Sequence, residues 1–285
     1  MQTLNIVGAG RLGQSVGRMA ALAGYRIGSV YCRSLASAQA ACAFIGQGVP
    51  VASLQVLQPA ELTLLAVPDA RIAEVAAQLA ATGSLAAGQV AFHASGACEA
   101  ALLAPLAAQG VYCASLHPAF SFAEPARAVA SFAGTRCALE GDQRAFDALQ
   151  ALAHAIGGQP FLLAPGGKVA YHAALAVASN YLVTLHELAR QLAAQAGIGQ
   201  ADVSVLLGDL MQKTLANSLA LGPAAALTGP IVRGDAQTVV RHRAVMNPGQ
   251  DALYCALGQA TLNLAALRLD EAQQAAVAAA LGGAS

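Results

Sequence analysis

The segment Asn5-Ile-Val-Gly-Ala-Gly-Arg-Leu-Gly13 lies near the start of the chain and decides its fold. A short apolar run precedes three glycines spaced as GxGxxG, and an alanine-rich helical stretch follows them. The first glycine permits a tight turn, the second lets the backbone approach a ligand, and the third allows close packing of helix and strand. Since backbone amides at the amino end of a helix attract anions, the segment predicts a phosphate-binding loop.

Short apolar runs alternate with alanine-rich helical stretches through the first half of the chain. The predicted strands cover residues 4–7, 26–31, 62–67, 89–93, 111–116, 134–140 and 160–163. This alternation is typical of right-handed crossovers and a mainly parallel sheet. After Leu163 no strand-like run appears, and helical spacing dominates. We therefore predict an α/β protein with a Rossmann-type dinucleotide-binding domain over residues 1–164 and an all-helical domain over 165–285.

Bulk composition narrows the classes of function. The 285 residues carry 15 basic and 15 acidic side chains, and no long basic run suggests a nucleic-acid partner. No apolar run reaches the roughly 18 residues needed to span a membrane, and the amino end lacks a signal-peptide pattern. The six cysteines form no CxxC pair, and the histidines show no metal-ligand spacing. We expect a cytoplasmic protein without a metal, membrane or nucleic-acid partner.

The end of the second predicted strand indicates which dinucleotide is bound. An NAD-binding domain usually places an acidic residue there, on the ribose hydroxyls. This chain instead has Cys32-Arg33-Ser34. Arg33 can form a bidentate contact with a ribose 2′-phosphate, and Ser34 can add a further donor, so NADP is the expected cofactor. The alternative is that Arg33 is a solvated surface side chain.

Later motifs add candidate neighbours of the cofactor and the substrate. Val67-Pro68 ends a strand beside the expected cleft, and Asp69 is expected to cap the following helix. His93 and His117 follow two further strands, and the carboxyl ends of parallel strands are where such sheets bind ligands. We expect His93 beside the cofactor and His117 beside the substrate. Turn formation and bonding to the backbone are equally consistent roles for both histidines.

A long helix is predicted from Lys168 to about residue 196. Lys168 and His172 are four residues apart, so they share one face of that helix, and Ser179 continues the same stripe. Partial burial lowers a lysine pKa toward neutrality. The two side chains are therefore candidate proton donor and acceptor during hydride transfer. The alternative is a solvated Lys168 and a structural His172.

The irregular segment Leu227-Thr-Gly-Pro-Ile-Val-Arg-Gly-Asp235 is a further candidate binding loop, since it requires unusual backbone angles. Arg233 could hold a substrate carboxylate, or it could pair with Asp235 and only fix the turn. In all, the expected cofactor residues are Gly8, Ala9, Gly10, Arg11, Leu12, Gly13, Arg33, Ser34, Val67, Pro68 and His93. The expected catalytic residues are Lys168 and His172, and the expected substrate-binding residues are His117, Ser179 and Arg233.

Five motifs together resemble a bacterial family of NADP-dependent oxidoreductases that have a Rossmann domain and a helical domain of unknown function. The motifs are GAGRLG from Gly8, HASG from His93, SLHPAFSF from Ser115, KVAYHAALAVASNYLV from Lys168 and ALTGPIVRGD from Ala226. The amino-terminal half is also similar to pyrroline-5-carboxylate reductase and to deazaflavin-dependent NADP reductases. More distantly, Lys168 resembles the general acid/base lysine of β-hydroxyacid dehydrogenases, although His172 stands where that family has an asparagine.

The resemblance implies hydride transfer between NADP and a small carbonyl, imine or hydroxy-acid substrate bound between the domains. It also implies a homodimer formed through the helical domain. Two other functions stay open at this point. One is a non-catalytic NADP-sensing or scaffold protein, and the other is a deazaflavin-linked reductase.

Overall fold

The computed structural model describes residues 2–283, and its first half is built on one eight-stranded sheet. The strands run in the order β3-β2-β1-β4-β5-β6-β7-β8, and all neighbours are parallel except β6 and β7, which are antiparallel. The strands are β1 (Thr3–Val7), β2 (Arg26–Tyr31), β3 (Val49–Val51), β4 (Leu62–Leu65), β5 (Val90–His93), β6 (Tyr112–Pro118), β7 (Arg136–Gly141) and β8 (Gln159–Leu162).

Helices alternate with these strands and then continue alone to the carboxyl end of the described chain. They are α1 (Arg11–Leu22), α2 (Leu35–Ile45), α3 (Ile72–Thr82), α4 (Ala104–Ala107), α5 (Pro125–Ser131), α6 (Phe146–Ala155), α7 (Lys168–Ala176), α8 (Leu182–Gln195), α9 (Gln200–Leu221), α10 (Pro223–Ala226), α11 (Ala236–Arg243), α12 (Pro248–Ala265) and α13 (Glu271–Ala280). The α/β class and the helical second part predicted from the sequence are confirmed.

The sheet is buried on both faces. Along β1, Leu4 and Ile6 belong to one apolar cluster, and Val7 belongs to the cluster on the other face. This follows from the alternation of side chains along a strand. All five residues of β1 are buried, which explains its continuous apolar sequence. The glycine loop thus begins from the rigid centre of the sheet.

The chain divides into two compact units, the first ending at Val177 and the second beginning at Ala178. The first unit therefore includes α7, whereas we predicted a boundary after residue 164. The long helix predicted from Lys168 is also interrupted, because Val177–Tyr181 forms a π-helical turn between α7 and α8. The second unit has its own small core, which includes Ile231, Val239 and Leu262.

Three details of the sheet differ from the prediction. The short strand β3 was not predicted, because it contains Pro50 and has few residues. The prediction of a mainly parallel sheet did not specify the antiparallel pairing of β7 with β6. Strand β6 extends to Pro118, so His117 lies within a strand rather than after one. Among residues 2–283, no helix is long and apolar enough to cross a membrane.

Candidate functional site

A cavity of about 910 Å³ lies where β1, β2 and β4 end. These three strands are adjacent in the sheet, with β1 in the middle. No carboxylate is among the side chains that line the cavity. Its lining residues are Gly8, Ala9, Gly10, Gln14, Tyr31, Cys32, Arg33, Ser34, Ser37, Ala40, Ala66, Val67, Pro68, Arg71, Val75 and Gln78.

Two glycines of the loop are required by close backbone contacts. Gly8 has φ +93°, and its amide donates to the Tyr31 carbonyl at 2.9 Å. A Cβ at Gly8 would lie 2.8 Å from the carbonyl oxygen of Ala66. At Gly13 a Cβ would lie 2.5 Å from the carbonyl oxygen of Gly8. These contacts assign the tight turn to Gly8 and the helix–strand packing to Gly13, as the spacing predicts.

Gly10 differs from the other two glycines because nothing lies within 4 Å of where its Cβ would be. It is the N-cap of α1, and no side chain caps this helix end. The first amides of α1 therefore lack a side-chain acceptor, and the space in front of Gly10 is open. An uncapped helix amino end with room for a ligand fits a pyrophosphate group.

The predicted 2′-phosphate contacts lie at the same cavity. Arg33 is exposed and makes no side-chain hydrogen bond or ion pair with any described residue. Ser34 has a structural role, because its Oγ caps α2 by accepting from the Ser37 amide at 3.2 Å. Val67 and Pro68 line the cavity as expected, whereas Arg11, Leu12 and Gly13 form the first turn of α1 outside the lining set.

Arg71 also lines this cavity and was missed by the sequence analysis. Its Nε lies 2.7 Å from a carboxylate oxygen of Glu74, and its Nη2 lies 2.9 Å from the other. The signal for its placement was the helical spacing of Arg71, Val75 and Gln78, which share one face. All three line the cavity.

A second group of polar residues lies at the carboxyl ends of β5 and β6. Its centre is Lys168, which is fully buried although lysine side chains are usually charged and exposed. The Lys168 ammonium donates to the carbonyl oxygen of Ser95 and to Oγ of Ser115. Burial lowers the pKa of Lys168 to about 8, against the opposing effect of the Glu140 carboxylate. Glu140 is itself buried and faces Ser115 across the β6–β7 pair.

Ser95 joins Lys168 to two neighbouring groups. Its Oγ donates to Asp69 at 2.8 Å and accepts from the Cys98 amide at 2.9 Å. The expectation that Asp69 caps the following helix is wrong, because no side chain caps that helical turn and Asp69 accepts from Ser95 instead. The cluster therefore ties the turn after β4 to the turn after β5.

His93 is fully buried and is fixed by the backbone around it. Its Nε2 lies 3.1 Å from the carbonyl oxygen of Glu99, and its Nδ1 accepts from the Ser95 amide at 3.2 Å. Burial lowers the pKa of His93 to about 4, so the ring is neutral at pH 7. His93 was expected beside the cofactor, but it is not among the residues that line the cavity.

His117 and His172 approach each other around Gly96. A Cβ at Gly96 would lie 2.8 Å from His117 Nε2 and 2.8 Å from His172 Cδ2. The other ring nitrogen of His117, Nδ1, lies 2.9 Å from the hydroxyl of Tyr171. Burial, followed by the positive charge of Lys168, lowers the pKa of His117 to about 4. The first unit thus brings Lys168, His172 and His117 into one cluster. The sequence could not show this proximity, because His117 belongs to a different motif from the other two residues.

The remaining predicted residues belong to the second unit. Ser179 is exposed within the π-helical turn. Arg233 is exposed at the end of a single 3-10 turn, and Gly234 follows it with φ +71°. The alternative pairing of Arg233 with Asp235 is not formed in the described structure, because Asp235 caps α11 through Thr238. Within residues 2–283, no group of three metal-ligating side chains could hold a metal ion.

Two family models match successive parts of the chain. Residues 2–118 match a Rossmann-like domain, and residues 135–261 match a domain of unknown function, DUF2520. The family organisation predicted from the motifs, a Rossmann domain followed by a domain of unknown function, is thereby confirmed. The match to the second domain begins next to β7, so it includes the last two strands of the sheet.

Solved structures similar to this chain share its full fold. Protein TM1727 from Thermotoga maritima is 27% identical with a TM-score of 0.69, over 93% of this chain and 98% of that one. A candidate NADP oxidoreductase from Bacteroides fragilis is 20% identical with a TM-score of 0.75, over 92% and 98% of the two chains. A pyrroline-5-carboxylate reductase from Coxiella burnetii is 16% identical with a TM-score of 0.59, over 100% and 99%. No curated protein matches the chain.

Proposed function

We propose that the chain is an NADP-dependent oxidoreductase that acts on a small carbonyl, imine or hydroxy-acid substrate. The observation that carries this proposal is the cavity at the ends of β1, β2 and β4. It combines the uncapped amino end of α1 with the unpaired Arg33, and its lining contains no carboxylate. An anionic dinucleotide is the ligand class that this combination favours. The fold shared with the oxidoreductases above supports the same assignment.

The side chains of the loop would hold different parts of the cofactor. The open space at Gly10 suits the pyrophosphate, and Arg33 suits a 2′-phosphate. Ser34 and Ser37 add hydroxyl groups at the same side of the cavity. When bound, a nicotinamide dinucleotide supplies or accepts a hydride. The protein must then provide a fixed proton donor or acceptor for the substrate.

We assign that proton transfer to the cluster around Gly96. His172 is its exposed member, and His117 is half-buried with Nε2 directed toward the same glycine. We propose that these imidazoles contact the substrate. Lys168 would act as a positioning residue, because its buried ammonium already donates to the Ser95 carbonyl and to Ser115. Burial, followed by the positive charge of Lys168, keeps His117 neutral, so its imidazole can accept a proton.

Substitution of Gly10 by alanine tests the cofactor proposal. The added Cβ enters open space and Gly10 has φ −71°, so the fold should be retained. The added methyl group would lie where the pyrophosphate is expected to bind. It should weaken NADPH binding at least about tenfold, which corresponds to about 1.4 kcal/mol. The measurement is the dissociation constant of NADPH by calorimetry, together with a thermal melt of each variant.

Gly24→Ala and Gly83→Ala are unsuitable controls because both glycines have positive φ. Gly208→Ala in α9 is a matched control, since nothing lies within 4 Å of its Cβ position either. Undiminished NADPH binding by Gly10→Ala, or no NADPH binding by the native protein, would contradict the proposal. Turnover of NADPH against a panel of small carbonyls and imines would then separate an enzyme from a non-catalytic NADP-binding protein.

We also propose that the chain forms a homodimer through its helical part, as its family resemblance implies. Helix α9 exposes several large apolar side chains, and we take this exposed apolar surface as the candidate interface. These residues are Val205, Leu206, Leu210, Leu215, Leu219 and Leu221. Sedimentation equilibrium should give twice the chain mass, and a monomer at micromolar concentration would contradict this assignment.

A further inference from the structure

We infer that Arg71 is a second arginine that recognises the ribose 2′-phosphate, acting with Arg33 from the other flank of the glycine loop. The inference rests on the proposed function, because it concerns how the same cavity selects its cofactor. It adds a residue that lies outside the glycine loop and outside the segment after β2.

Sheet order places the two arginines on opposite sides of the loop. Strands β2 and β4 both pair with β1, so they flank it. Arg33 follows the end of β2, and Arg71 follows the end of β4 after the turn at Pro68. With neighbouring strands about 4.8 Å apart, β2 and β4 are separated by about 10 Å. An arginine side chain spans most of that distance, so both guanidinium groups can reach one anion in the cavity that they line.

The hydrogen bonds of Arg71 leave part of its guanidinium available. Its Nε and Nη2 contact the two carboxylate oxygens of Glu74, at 2.7 and 2.9 Å. Its Nη1 forms no hydrogen bond with any described residue. A guanidinium has five N–H donors, and the edge between Nη1 and Nη2 can form a second bidentate contact. Glu74 therefore holds Arg71 in one orientation while the outer edge stays free.

The electrostatics of the cavity favour a doubly charged group. Its lining has two arginines and no acidic side chain, and the Glu74 carboxylate is already shared between Arg71 and Gln78. Arg33 has no carboxylate partner in the described chain. A 2′-phosphate would offer oxygens to both guanidinium groups, whereas the 2′-hydroxyl of NAD would satisfy neither. Two arginines thus give a larger preference for NADP than Arg33 alone.

Calorimetry on the full chain tests the inference with four probes, which are NADP⁺, NAD⁺, 2′-AMP and 5′-AMP. We expect Arg71→Ala to weaken NADP⁺ and 2′-AMP by about 10- to 100-fold, as for loss of a charge-assisted hydrogen bond. Its effect on NAD⁺ and 5′-AMP should be under about twofold. Arg71→Lys should recover only part of the loss, because an ammonium lacks the planar fork. Arg144→Ala is the matched control, since Arg144 also pairs with a nearby carboxylate but does not line the cavity.

Each other outcome overturns the inference in a recognisable way. Equal weakening of NADP⁺ and NAD⁺ by Arg71→Ala would assign Arg71 to a part that both cofactors share. Unchanged binding of all four probes would remove Arg71 from the site while leaving the proposed function intact. If the native protein binds neither dinucleotide, the proposed function itself fails. Thermal melts of every variant would show that the folded chain is being compared.

Discussion

The cofactor cavity and the Lys168 cluster both lie at carboxyl ends of strands, but they use their polar groups differently. The cavity presents groups without partners, namely the uncapped end of α1, the Arg33 guanidinium and one edge of Arg71. In the cluster, Lys168, His93 and Ser95 are all bonded within the protein. Unpaired polar groups suit ligand binding, whereas a bonded buried network fixes positions and charges. Substitutions should therefore affect mainly binding in the cavity, and mainly stability at Lys168, His93 and Ser95.

The largest effect that this comparison predicts is at Lys168. Lys168→Ala would leave a cavity and remove the donor to the Ser95 carbonyl and to Ser115. It would also remove the positive charge that compensates the negative charge of the buried Glu140 carboxylate. We expect the free energy of unfolding to fall by about 3–5 kcal/mol, as when one partner of a buried charged network is removed. Urea denaturation followed by circular dichroism measures this change.

Lys213 provides the matched control, because it is the only other lysine in the chain. It lies on α9 and pairs with Asp209 on an exposed surface, at 2.6 Å. Lys213→Ala should change the free energy of unfolding by less than about 1 kcal/mol. Equal losses for the two variants would mean that the Lys168 network contributes no more than a surface ion pair, and the comparison would fail.

The next effect concerns pH. Burial holds the pKa of His93 near 4 in the folded state, below its ordinary value of 6.5. The unfolded chain therefore binds a proton between pH 6.5 and 4 that the folded chain excludes, and stability falls as the pH falls through this window. Above pH 6.5 the imidazole is neutral in both states, and His93 causes no loss of stability. At pH 4 the difference between its folded and unfolded pKa values lowers the free energy of unfolding by about 3 kcal/mol.

His93→Gln tests this prediction by removing the titrating group. The free energy of unfolding of the variant should vary less between pH 6.5 and pH 4 than that of the native protein. His154→Gln is the control, because His154 is exposed on α6 and should leave the pH dependence unchanged. If His93→Gln keeps the native pH dependence, the pKa of His93 is not lowered in the folded state, and the effect of burial described above is wrong.

The same difference explains what the sequence could predict. The cavity was largely predictable because GxGxxG and the residues after β2 are local patterns, and each glycine has a local steric reason. The cluster was not, because its bonds join residues far apart in the chain, such as Lys168 to Ser95. Helical spacing correctly placed Lys168 and His172 on one face, but it could not show that Lys168 is fully buried. It also gave no reason to place His117 beside Gly96.

Two errors have physical causes of the same kind. Asp69 satisfied the usual rule for a helix cap, yet a hydroxyl from a different strand end competes for its carboxylate. Arg71 was overlooked because helical spacing only groups it with Val75 and Gln78, and the order of β2, β1 and β4 is needed to show that it flanks the glycine loop. Local preferences therefore identified the elements, whereas the contacts between elements decided which polar groups stay free.

The smallest predicted effect lies at Ser34, which belongs to the cavity yet already has a partner. Its Oγ caps α2 by accepting from the Ser37 amide, and it lies 2.8 Å from the Ser37 hydroxyl. Ser34→Ala should therefore lower the free energy of unfolding by about 1 kcal/mol, the usual cost of losing an N-cap. It should weaken the binding of NADP⁺ only a few-fold, because Arg33 keeps its full set of donors.

Ser34→Asp separates the two roles of Ser34, since aspartate retains the cap but places a negative charge near Arg33. That variant should keep native stability and lose NADP⁺ affinity more than Ser34→Ala does. If Ser34→Asp binds NADP⁺ as tightly as the native protein, the 2′-phosphate does not lie beside Ser34, and the cavity would have to be assigned to a different anion.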